Sequence, residues 1–150
     1  MKRIFLTVCL VLTIFTISNA QEYKIITTVE SIIPAGIGRS RMLSPTEEVD
    51  SEKFTTERTN GKKGNEQNKV RRRDLRIDGI EETKLLNFYS LTGINFQNIA
   101  SNDALVSDKL TQMAKNGWEL VFVTSGVESD GGETDGEGIY ITRYVFKRAQ

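Results

Sequence analysis

Beyond position 9 this chain has nothing with which to staple itself. Its single cysteine is Cys9 and it contains no histidine, so no disulfide can close within it and the usual zinc ligands are missing. Whatever it folds into must be held by packing and backbone pairing. The same absence removes Ser-His-Asp and Cys-His nucleophiles, thiol redox work and the usual zinc hydrolases. No motif asks for a cofactor or a metal, and none is expected.

Cys9 itself sits in a leader. Lys2 and Arg3 precede an apolar run from Ile4 to Ile17, and Ser18-Asn19-Ala20 offers the small residues of a cleavage site, the anatomy of a secretory signal. The run is shorter than the roughly 18 apolar residues needed to cross a bilayer. Cys9 is in its middle, not at its end where a lipoprotein cysteine would stand. The expectation is an exported protein, periplasmic or secreted, that starts at Gln21 and keeps no stable membrane anchor. Cleavage of residues 1–20 from 150 leaves 130, a comfortable single domain for residues 21–150.

The 20 basic and 20 acidic side chains become 18 against 20 once Lys2 and Arg3 leave, a balance of −2. Charge is segregated: Arg39 to Arg76 is net basic, whereas Glu119 to Glu137 holds six carboxylates and no base. Two solvated loops of opposite sign are the reading.

Tyr23, Ile25, Thr27 and Val29 alternate with Lys24, Ile26, Thr28 and Glu30, which predicts a strand. Pro34, Gly36 and Gly38 then break it. Residues 44–83 are polar, with Phe54, Val70, Leu75 and Ile77 among many charges. They read as a charged insertion, a hairpin with arms Lys53 to Thr59 and Lys69 to Arg73 and a protease-sensitive tip at Asn60 to Asn68. Leu85 to Leu91 is strand-like. Ser101-Asn102-Asp103 offers a helix start, Leu105, Val106, Leu110, Met113 and Ala114 form a stripe, and Asn116-Gly117 ends it.

Trp118 to Thr124 and Ile139 to Arg148 alternate cleanly and predict a hairpin. Setting Val127 against Ile139 places Leu120 opposite Phe146, Phe122 opposite Tyr144 and Thr124 opposite Thr142, on the face the helix should cover. The expected core is therefore Trp118, Leu120, Phe122, Tyr144, Phe146, Leu110 and Met113. The other face would show Val121 beside Val145 and Glu119 beside Lys147, covered by the insertion or a partner. The fold class is α+β: an antiparallel sheet of about four or five strands, one main helix on one face, and a charged loop or hairpin insertion.

The run Met113-Ala114-Lys115-Asn116-Gly117-Trp118-Glu119-Leu120-Val121, followed by Tyr140-Ile141-Thr142-Arg143-Tyr144-Val145-Phe146-Lys147-Arg148, resembles the bacterial family called domain of unknown function 4177. Tyr23-Lys24-Ile25-Ile26 is similar to its opening strand. The resemblance implies a strand, a helix ending in a Gly-Trp-Glu-Leu turn, and a final hairpin. It leaves Ser31 to Asn98 outside, and it implies no catalytic residue.

Arg39, Ser40 and Arg41, beside Gly36 and Gly38, combine flexible backbone, two guanidiniums and a hydroxyl, a combination suited to a phosphate, sulfate or carboxylate. Asp130, Glu133, Asp135 and Glu137 crowd a glycine-rich loop without the spacing of a calcium loop. Lys69, Arg71, Arg72, Arg73 and Arg76 are the densest basic cluster, but no aromatic lies between Phe54 and Phe88, so no nucleic acid partner is expected. They suit an acidic surface. Glu119, next to Trp118, is the best single carboxylate, yet alternation puts it on the opposite strand face. The reading is an exported, non-enzymatic binding or assembly module whose partner is an envelope or cell-surface protein or glycan. A small carboxylate-dependent hydrolase is the second reading and needs a second, facing carboxylate.

Overall fold

The computed structural model describes residues 20–34, 39–55, 58–59, 62–63, 70–129 and 138–149. In chain order these form β1 (Gln21–Ser31), β2 (Arg41–Pro45), β3 (Arg58–Thr59), β4 (Lys62–Lys63), β5 (Ile80–Lys84), β6 (Tyr89–Ser90), β7 (Gly93–Ile94), α1 (Phe96–Lys115), β8 (Glu119–Glu128) and β9 (Ile139–Ala149). Five strands make one antiparallel sheet in the order β5-β2-β1-β9-β8, so the fold is α+β as expected. The β-branched, alternating β1 lies at its centre, where both of its edges are paired. Two short hairpins, β3-β4 and β6-β7, stand apart from it.

Helix α1 packs on one face. Met113, Ile26, Met42, Leu85, Trp118 and Phe146 form one buried cluster, with Val106, Leu110 and Tyr144 packed against it. Apolar positions four and three apart on the helix meet the inward alternate positions of three strands. The helix stops where Asn116-Gly117 predicted. Gly117 has φ +80°, its N–H donates to Ala114 O at 3.0 Å, and the Trp118 N–H donates to Met113 O at 3.0 Å. This pair of bonds is a Schellman cap, and it delivers Trp118 straight from the helix end into the core.

Several expectations need correction. The helix starts at Phe96, not Ser101, because Asn95 is the cap, accepting the Asn98 N–H at 3.1 Å. Leu85 to Leu91 is not one strand; it runs through coil into the β6-β7 hairpin. Residues 44–83 are not wholly an insertion, since β5 pairs with β2 along Arg41–Lys84 to Pro45–Ile80. The expected long arms are replaced by 3₁₀ turns at Ser51–Phe54 and Arg72–Leu75 and by β3-β4. Apart from residues 62–63, the expected tip, Asn60 to Asn68, lies outside the described residues.

The largest correction is in the last hairpin. Glu119 opposes Lys147 and Leu120 opposes Phe146 as predicted, but a bulge follows, and Phe122 opposes Val145, not Tyr144. Thr124 then faces Arg143 and Val127 faces Tyr140. One extra residue turns every later side chain to the other face of the sheet. Phe122 is consequently 61% exposed, and Leu120, on the helix side but at the sheet margin, is 41% exposed. Neither is in the core. Of the expected core, Trp118, Phe146 and Met113 are buried, with Leu110 and Tyr144 packed against them.

Candidate functional site: an open sheet face and its free edge

Strand β8 ends the sheet, and every one of its ten residues is exposed. Its outer backbone groups have no strand beside them among the described residues. The opposite edge, β5, is half as long and carries Glu81, Glu82 and Lys84 among its five residues, which blunts it against pairing. No charge falls between Glu119 and Glu128 on β8, where Leu120, Val121, Phe122, Val123 and Val127 are all exposed.

The sheet face away from α1 continues this surface. Register aligns Ile25, Val145 and Phe122 in one row and Val29, Ile141 and Gly126 in another four residues along, with Thr27, the exposed Arg143 and Thr124 in the row between. Tyr23 and Ile25 remain exposed there, so the described part of residues 44–83 does not cover this face. Glu119 lies on it too, 3.4 Å from Lys147.

A second concavity, an open groove of about 660 Å³, lies at the C-terminal end of α1. Two ion pairs cross it: Arg148 donates to Glu22 at 2.6 Å and stacks 4.5 Å above the Trp118 ring, and Lys109 donates to Glu81 at 2.8 Å, while Lys24, Glu47 and Glu48 also line it. Glu119 does not line it. The carboxylate beside the tryptophan in sequence therefore stands apart from the carboxylates of the groove, as strand alternation requires.

The residues considered for anion binding are engaged elsewhere. Ser40 is fully buried; its hydroxyl donates to Asn87 Oδ1 at 2.8 Å and accepts the Ser31 N–H at 2.9 Å. Arg41 pairs with Glu82 and donates to Ser40 O at 2.8 Å. Arg39 is exposed. In the basic cluster, Asp74 takes Arg71 at 3.1 Å and Arg73 at 3.5 Å, and the Arg71 hydrogen bond holds the Asp74 carboxyl below its ordinary value. Arg72 and Arg76 share a shallow groove beside it with Arg73 and Leu75. Lys69 and the acidic positions Asp130, Glu133, Asp135 and Glu137 lie outside the described residues.

Sequence reasoning missed Asn102. It is buried, its side chain donates to Glu30 Oε1 and to Leu86 O, each at 2.7 Å, and it accepts the Leu86 N–H at 2.8 Å. The signal was a polar residue on the apolar stripe of the helix, four positions before Val106. Among the described residues no three of Asp, Glu, Cys and His gather as a metal site, and no helix is long and apolar enough to cross a membrane.

Compared with family models, with curated proteins and with solved structures, the chain matches none.

Proposed function

We propose that this protein is an exported binding or assembly module that works through the β8 edge and the open sheet face beside it, accepting an extended strand. The observation that carries the reading is β8 itself: ten exposed residues, uncharged between its terminal glutamates, with one edge unpaired among the described residues. Backbone pairing supplies affinity in such an arrangement, while alternate side chains supply specificity. Soluble proteins blunt long apolar edges unless they use them. Export is supported by the leader-like first twenty residues, and an envelope or surface protein is the natural partner class. The hydrolase reading has less support, because Glu119 is paired with Lys147 on an open face, and hydrolysis needs two carboxylates across one site.

A photo-crosslinking residue placed at Phe122 tests this in the cell envelope, with the same residue at exposed Leu91 as the control. Adducts at position 122 and not at 91 are expected, whether to another protein or to a second copy. Equal labelling at both positions, or none at either, would overturn the reading.

A further inference from the structure

We infer that the strand accepted by β8 is the β8 of a second copy of this chain, added antiparallel about a two-fold axis through Thr124. The inference rests on the reading of β8 as a working edge and names its occupant. Two five-stranded sheets would then run on as one of ten.

The argument is self-complementarity. With Thr124 opposite Thr124 of the second copy, Val123 meets Ser125 and Phe122 meets Gly126. Threonine pairs are favourable across antiparallel strands, and an aromatic ring laid over a cross-strand glycine covers backbone that the glycine leaves bare. Gly126 is bare here: a Cβ built on it would find only Ile141 Cγ2, at 4.0 Å. The row Ile25, Val145 and Phe122 of one copy then continues as Gly126, Ile141 and Val29 of the other, and the axis repeats this row once more.

Other registers are worse. A slip of one residue sets open-face side chains against helix-face ones, and with the centre between Val123 and Thr124 it also opposes Glu119 to Glu128. A shift of two places Glu128 against Phe122 in one direction and Leu120 against Gly126, across the bulge, in the other. The centre at Thr124 leaves no charge among the pairs from Phe122 to Gly126 and brings Glu128 only to the end of the pairing, opposite Leu120 beyond the bulge. Because the contact is two-fold and uses one edge only, it closes at a dimer and cannot propagate into a fibre, while charged β5 leaves the far edge unattractive.

Sedimentation equilibrium on the protein purified as the cell delivers it gives the first result: a dimer. Thr124→Lys and Thr124→Glu each set like charge against like charge across the axis and should sediment as monomers, and their equimolar mixture should return to a dimer. Circular dichroism reports whether each variant is folded. Hydrogen exchange on the unsubstituted protein is independent of any variant, and the β8 amides should exchange more slowly as concentration rises. A monomer at every loading concentration overturns the inference, as does a dimer that survives both charged variants, or β8 exchange that ignores concentration. If the protein is monomeric yet position 122 crosslinks to a different protein, the second-copy assignment falls and the edge reading stands.

Discussion

The side chain of Asn102 reads the backbone of Leu86 as a neighbouring strand would, accepting its N–H at 2.8 Å and donating to its carbonyl at 2.7 Å. This bracket ties α1 to the chain leaving β5, whose pairing with β2 ends at Lys84. A second donation, to Glu30 Oε1, ties both to β1.

Asn102→Ala should therefore destabilise the fold by about 2 kcal/mol, since buried polar groups that lose a partner cost about 1 to 3 kcal/mol each. Asn102→Asp conserves size but loses both donated bonds and faces Glu30, so it should cost at least as much. Urea melts of the two variants check this, and a neutral Asn102→Asp would show that the bracket is unimportant.

Trp118 is buried between the helix cap and β9, whereas the Glu119 side chain is 69% exposed beside Lys147. Trp118→Ala should cost about 3 to 5 kcal/mol, and Glu119→Ala under about 1 kcal/mol, as for a surface ion pair. Denaturant melts decide it; a larger loss at Glu119 would contradict the placement of the two faces.

Burial holds the Glu30 carboxyl above its ordinary value of 4.5; Asp103 adds repulsion and the Asn102 hydrogen bond pulls the other way. The folded chain thus binds this proton more tightly than the unfolded chain. The contribution of Glu30 to stability is greatest below 4.5 and falls as pH rises through the raised folded value. Glu30→Gln, which can still accept from Asn102, should gain stability relative to the unsubstituted protein at about pH 7 and less at about pH 4. Melts at both pH values test the sign, and a gain that is larger in acid would refute it.

The leader reading predicts an exported protein whose first residue is Gln21 and which carries no lipid. Intact-mass measurement of the periplasmic or secreted form checks it directly, and a mass that retains Met1 to Ala20 would be decisive against it.

Local chemistry determined much of this molecule. Alternation and β-branching marked β1 and β9, and the left-handed freedom of Gly117 marked the helix end; these signals act within a few residues. The pairing of Glu119 with Lys147 and of Leu120 with Phe146 was likewise legible. The chain was silent where the deciding partner is distant. Leu120, Val121, Phe122 and Val123 are all apolar, so a one-residue bulge leaves no trace in the pattern, yet it moves Phe122 from the core to the open face. Strand β5, with a single apolar residue, exists because the backbone of β2 was free to pair with it. Asn102 looked like part of a helix start and proved to be a buried bracket, since only the tertiary fold brings Leu86 and Glu30 to it. Periodicity specifies which side chains share a face; register, edge and buried polar partners are settled by backbone groups from elsewhere in the chain.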